Sequence, residues 1–217
     1  MLDFPGFGTE SERASPFTID GIVDDVRRRW LAIPKEKGEV CYLLAVSLGG
    51  MVAMNWASRF SDDFQGLVLI NSSATGLSPF NKRLKPKNYP RILSFFAGAS
   101  VESRERKILE MTTNLSGERL SGLAQRHTEF AKKVRKKDAL AQIVSALRFI
   151  PPAKISIPLF VLGARGDQLV DVSCSERIAS HFGGLLEIHE TANHDLATDD
   201  GPWIIGKLKD WIKPIPS

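Results

Sequence analysis

The chain is 217 residues long, with 43% hydrophobic and 25% charged residues, an ordinary globular balance that excludes a disordered, collagenous or disulfide-scaffold protein. Lys and Arg total 29 against 25 Asp and Glu, a net charge of +4, and the two cysteines, Cys41 and Cys174, are too few for a framework; they read as reduced thiols of a cytoplasmic protein. The opening Met-Leu-Asp-Phe-Pro-Gly has no basic start followed by an apolar stretch, and Ser47, Gly49, Gly50 and Asn55 interrupt residues 41–57, so neither a secretory signal nor a transmembrane segment is expected.

In chain order, Tyr42–Val46 and Leu67–Ile70 are short continuous apolar runs, the pattern of strands buried on both faces of a parallel sheet. Gly50–Phe60 between them has the length and composition of a helix, so the segment reads as a right-handed strand, helix, strand crossover. Arg91–Arg148 turns helical, with breaks at Gly98 and Ser116-Gly117, and Pro151-Pro152 closes it. Strand character returns at Leu159–Leu162, followed by helix at Val172–Phe182, strand at Leu185–Ile188 and an amphipathic helix at Trp203–Ile212. The expected fold is α/β: a mostly parallel sheet flanked by helices, its core formed by residues 1–73 and 151–217. An all-helical cap at 74–150 is inserted over the strand ends, where ligands bind in such sheets.

The modest net charge hides an asymmetry. Residues 74–150 hold 16 basic and 6 acidic residues, a balance of +10, while the rest of the chain stands at −6. The densest basic run is Lys132, Lys133, Arg135, Lys136 and Lys137, and a second cluster is Lys82, Arg83, Lys85 and Lys87. Such runs are usually solvated helix faces; the functional alternative is attraction of an anionic substrate or of an acidic partner that carries it. Aromatic residues do not interleave with these clusters, which excludes nucleic acid as the expected partner.

Chemistry concentrates at the end of the first apolar run. In Ala45-Val46-Ser47-Leu48-Gly49-Gly50, a serine passes from strand to helix between small residues. A sharp turn there exposes the hydroxyl at a helix N-terminus, where backbone N–H groups face developing negative charge. Gly49 and Ala45 would let strand and helix approach, and Gly50 would relieve the next turn. The pattern is G-x-S-x-G with Ala45 in the first glycine's place; the plainer alternative is a helix N-cap serine.

With this elbow and the Asp-Phe-Pro-Gly-Phe-Gly of residues 3–8, the chain resembles the α/β-hydrolase superfamily, serine hydrolases with a helical cap. The resemblance extends over essentially the whole chain, the cap matching by position and helical character. Residues 3–8 resemble the D-x-P-G-x-G turn that follows the strand before the elbow. Serine at position 47, where some relatives carry aspartate, implies acyl transfer. The family's order of Ser, Asp, His implies His194 as base, in the loop before the final helix, rather than His127, His181 or His189. Asn193 stands where the family often has glycine, and asparagine also tolerates unusual backbone angles. The family's G-x-x-D turn, with one residue of slack, lands on Asp167. Asp171 competes but suits a helix cap, and Asp195 is too close in sequence to reach the far ring nitrogen.

The resemblance further implies Leu48 N–H as one oxyanion donor. The second donor of the family follows an earlier strand, usually in a His-Gly stretch, and this sequence has no His-Gly dipeptide. The opening strands of the family's sheet are expected to be absent, leaving an exposed sheet edge that offers a route to oligomers. The expected function is a serine hydrolase that cleaves a carboxylic ester or thioester of a small-molecule acyl substrate, through Ser47, His194 and Asp167, with no metal or organic cofactor. The alternative is a catalytically impaired or non-catalytic hydrolase-like chain that acts by binding.

Overall fold

The computed structural model describes residues 1–34, 36, 38–96, 98 and 100–212. After a loop at Asp3–Gly8, helix α1 (Ile19–Leu31) starts at Thr18, whose Oγ1 accepts from Gly21 N–H. Strand β1 (Tyr42–Val46), helix α2 (Leu48–Arg59) and strand β2 (Gly66–Ile70) follow as the expected crossover. Between β2 and β3 the chain is helical: α3 (Phe80–Arg83), α4 (Tyr89–Phe96), α5 (Val101–Thr112), α6 (Gly117–Ala131) and α7 (Lys136–Arg148). Strand β3 (Leu159–Ala164), helix α8 (Ser173–Phe182), strand β4 (Leu185–His189) and helix α9 (Leu196–Trp211) complete it.

The four strands lie in the order β1-β2-β3-β4, all parallel, with Val46 opposite Ile70 and Ile70 opposite Leu162. Side-chain alternation sends the two faces of this sheet to different helices. Leu67, Leu69, Leu159 and Val161 pack with Ile22 and Val23 of α1, Met54 and Trp56 of α2 and Ile178 of α8. Val68, Ile70, Phe160 and Leu162 pack on the other side with Leu196 and Ile204 of α9. An α/β sheet covered on both faces is the α/β architecture expected from the sequence. A separate small core of Leu109, Leu120 and Ala124 joins α5 to α6 within the helical insert, as an inserted cap requires.

Three local expectations need correction. β2 and β3 are buried throughout, but β1 is not: Tyr42 and Leu44 are 36% and 44% exposed. They point to the α9 face. Trp211 reaches Tyr42 edge-on, and β1 has no second strand neighbour among the described residues, so the outer part of that face stays open. Second, the final helix starts at Leu196 rather than Trp203, because Asp195 caps it through Thr198 N–H. It kinks at Asp200 ahead of Pro202, whose ring cannot continue a straight helix. Third, the basic run 132–137 straddles the turn between α6 and α7 rather than lining one helix face.

That turn anchors the insert. Asp138, 2% exposed, accepts from Ser15 N–H at 2.9 Å and from Arg135 Nε at 2.5 Å, while Arg135 also donates to Arg13 O. Burial pushes the Asp138 carboxyl up, but these donors more than offset it and hold it below the usual carboxylate range. A Cβ on Gly6 would stand 2.7 Å from that of Asp138, so the glycine at this position lets the 3–8 loop meet α7.

Candidate active site

Ser47 links β1 to α2 with φ +52° and ψ −120°, a conformation that side chains other than glycine's rarely adopt and that marks stored strain. Its N–H donates to Ile70 O at 2.9 Å, and its carbonyl accepts from Ser72 Oγ at 2.8 Å and from Gly50 N–H at 2.9 Å. Ser47 Oγ does not cap its own helix, which sets aside the N-cap alternative. Leu48 opens α2. The steric demand falls on a different glycine than the sequence indicated. A Cβ on Gly49 would lie at an ordinary 3.7 Å from Ala45 Cβ, whereas one on Gly50 would meet Ser72 Oγ at 2.3 Å.

Asp167 and His194 come together at the same end of the sheet, from the loops after β3 and β4. Asp167 Oδ2 lies 2.7 Å from His194 Nδ1, and the two residues are 1% and 6% exposed. The other carboxylate oxygen accepts from Leu169 N–H at 2.7 Å and Val170 N–H at 2.9 Å. This carboxylate is thus fixed on both sides, and the contact leaves His194 Nε2 free of hydrogen bonds among the described residues. The loops meet backbone to backbone: a Cβ on Gly166 would lie 2.5 Å from Thr191 O.

The competing residues occupy other roles. Asp171 accepts from Ser173 N–H and Oγ and pairs with Lys82. Burial raises its carboxyl, and the Ser173 and Lys82 donors outweigh this and hold it below the usual range. Asp195 caps α9, His181 packs edge-on against Phe182, and His127 lines a cleft. His189 is tied into the site's framework: Nδ1 accepts from Thr191 and Ala192 N–H, and Nε2 faces Asp200 at 3.2 Å. The Trp203 N–H first, then His189, keep the Asp200 carboxyl low.

Residues outside the sequence pattern also build the site. Asn71, buried with φ +45°, donates to His194 O at 2.8 Å and accepts from Ala164 N–H at 2.8 Å. The second basic cluster is spent on the loop that carries Asp167: Lys85 Nζ donates to Asp167 O, Lys87 to Gln168 Oε1, and Asn88 Nδ2 to Gln168 O. Arg83 turns inward to Thr75 Oγ1 and Ala146 O. Lys82 and Lys87 stay exposed, so the cluster is a solvated surface that also supplies structural ties, and no motif announced these.

A cleft of about 810 Å³ opens between the insert and the 3–8 loop, lined by Phe7, Ile108, Met111, Ile143 and Leu169 with Arg104 and Lys136 among the polar residues. Ser47, Asp167 and His194 do not themselves line it; it is connected to their loops through Leu169, whose N–H bonds Asp167, and Thr112, whose carbonyl accepts from Asp195 N–H at 2.7 Å. Among the described residues, no three His, Cys, Asp or Glu side chains are grouped to hold a metal, and no helix is long and apolar enough to cross a membrane.

A hydrolase from Pseudomonas aeruginosa PA01 superposes with a TM-score of 0.74 at 19% identity, over 98% of this chain and 78% of that one. The 2-hydroxy-6-oxo-6-phenylhexa-2,4-dienoate hydrolase of Rhodococcus sp. strain RHA1 gives 0.73 at 18%, over 96% and 77%. An esterase from Exiguobacterium antarcticum gives 0.71 at 16%, over 98% and 80%. At these identities the likeness is one of fold. No curated protein matches the chain in sequence. Residues 1–201 match the family described as serine aminopeptidase, S33. With the parallel sheet, the strained Ser47 turn and the helical insert in place, the chain belongs to the serine aminopeptidase S33 family of α/β-hydrolases.

Proposed function

We propose that the protein is a serine hydrolase cleaving a carboxylic ester or thioester, with Ser47 as nucleophile, His194 as general base and Asp167 as its orienting acid. The observation that carries this reading is the buried 2.7 Å contact between Asp167 Oδ2 and His194 Nδ1. A carboxylate on Nδ1 fixes the tautomer whose Nε2 accepts a proton. In the reaction, His194 Nε2 takes the Ser47 proton as Oγ attacks the carbonyl carbon. The C=O electrons move to oxygen, which Leu48 N–H and the start of α2 stabilise. Collapse expels the alcohol or thiol with the proton from His194, and water repeats the sequence to free the acid and Ser47. The apolar cleft, which reaches the Asp167 loop at Leu169, supports an acyl chain as the group accommodated.

The basic rim refines the substrate. Lys132, Lys133, Lys136 and Lys137 are exposed, and Lys136 reaches the cleft, where Arg104 is paired with Glu105; the exposed lysines support an anionic acyl substrate or one carried on an acidic partner.

One observation favours the second reading, binding without turnover: Ser47 Oγ is not hydrogen bonded to His194 among the described residues. Hydrogen bonds of this kind often tighten only with substrate in place. A fluorophosphonate probe separates the two. The hydrolase reading expects labelling of Ser47 that disappears in Ser47→Ala and His194→Ala; no labelling of the intact chain selects binding.

A further inference from the structure

Asn193, directly before His194, is 2% exposed and its polar groups join three segments of the chain. Its Oδ1 accepts from Gln168 N–H and from His194 N–H, each at 2.8 Å. Its Nδ2 donates to Thr113 O at 3.1 Å, and its own N–H donates to Asp199 Oδ2 at 2.7 Å. Gln168 follows Asp167, and Thr113 caps the C-terminus of α5 in the insert. Unlike Ser47 and Asn71, Asn193 does not have a positive φ. The unusual backbone expected at this position is therefore absent, and what the asparagine contributes is its side chain. A buried amide with its donor and acceptor both engaged rigidifies what it joins.

We propose that Asn193 is a positioning residue that holds the His194 ring against Asp167 and makes that contact depend on the seated insert. One oxygen receives the N–H after Asp167 and the N–H of His194 together, which sets the two loops in register at the point where their side chains meet. The amide nitrogen carries the same register to α5. Two bonds run parallel to it: Asp195 N–H to Thr112 O at 2.7 Å, and Asn114 Nδ2 to Thr191 O at 2.9 Å. Because Ile108, Met111 and Thr112 line the cleft, a ligand that seats the end of α5 also seats His194. The effect on turnover rests on the triad reading above; the effect on the ring does not.

Asn193→Ala and Asn114→Ala in the full chain test this. Folding is followed by circular dichroism, the downfield His194 Nδ1 proton by NMR, and Ser47 by its fluorophosphonate labelling rate. Asn193→Ala is expected to fold, to lose the Nδ1 resonance to solvent exchange, and to label roughly ten- to a hundredfold more slowly, the cost of a misplaced reacting group. Asn114→Ala, which removes only the insert's bond to Thr191, is expected to keep the resonance with faster exchange. A folded Asn193→Ala with native resonance and labelling overturns the proposal. Should Asn193→Ala not fold, native exchange in Asn114→Ala overturns it and faster exchange supports it. A native chain that shows the resonance but does not label overturns the triad reading alone.

Discussion

Asn71 Nδ2 lies 2.8 Å from His194 O across 123 residues of sequence, while the same side chain's Oδ1 accepts from Ala164 N–H. One buried amide at the end of β2 therefore fixes the end of β3 and the loop after β4. Its neighbour Ile70 accepts from Ser47 N–H, so Ser47 and His194 are held by adjacent residues at the end of β2.

Asn71→Ala should strip the hydrogen bonds from Ala164 N–H and His194 O and leave them buried, costing about 1–3 kcal/mol for each group left unsatisfied. The fluorophosphonate labelling rate should fall with the loss of stability. Thermal unfolding beside the labelling assay checks this; an unchanged rate would remove Asn71 from the site's framework.

Two adjacent glycines should respond oppositely. Gly50→Ala drives a methyl into Ser72, whose Oγ–H bonds the Ser47 carbonyl, and should cost about 1–3 kcal/mol by overpacking. Gly49→Ala finds 3.7 Å to Ala45 Cβ and gains helix propensity over glycine. Urea unfolding of the two variants measures the difference directly.

Asp167→Asn should keep the fold and lower turnover on the order of 10³- to 10⁴-fold, because an amide no longer selects the Nδ1–H tautomer of His194. Ester hydrolysis by the variant, with circular dichroism as the folding control, checks it. A loss of only a fewfold would point to another acid.

Acid should weaken the tie between the insert and the loop after β3. Hydrogen bonds and Lys82 outweigh burial at Asp171, so its folded pKa is depressed. The stabilisation is then fully present above the unfolded value of about 3.9 and is lost as pH falls through the lower folded value. Asp171→Asn should be less stable than the native chain at neutral pH, with the gap closing in acid. Unfolding midpoints across pH 2–7, roughly spanning this titration, supply the measurement.

Salt should discriminate between substrates. If the exposed lysines steer anions, kcat/KM for an anionic acyl substrate falls as the Debye length shrinks towards about 8 Å, while a neutral ester of equal length stays flat. Charge reversal of Lys132, Lys133, Lys136 and Lys137 should abolish the contrast. Equal salt responses would reduce the run to a solvated turn.

The elements that the sequence determined by itself are those whose signal is local. Short apolar runs rich in Leu, Val and Ile between polar or turn residues marked β1 to β4 to within two residues of each end, whereas the equally apolar Met51–Met54 lies in α2, so the run alone does not decide between strand and helix. The Ser47 turn was legible because a strand running into a helix through small residues leaves few backbone options. Asp167 and His194 were legible as loop residues at strand ends through resemblance to a family with a fixed chain order.

Tertiary structure alone decided which polar groups meet. Asn71 and Asn193 look like ordinary loop asparagines, and Lys82, Lys85 and Lys87 like a solvated charge cluster, because a hydrogen bond across 80 or 123 residues leaves no periodicity in the chain. The glycine facing Ser72 and the exposure of Leu44 were equally hidden. Steric contact and burial depend on which element packs opposite, and that partner is chosen only when the sheet, its flanking helices and the insert are assembled together.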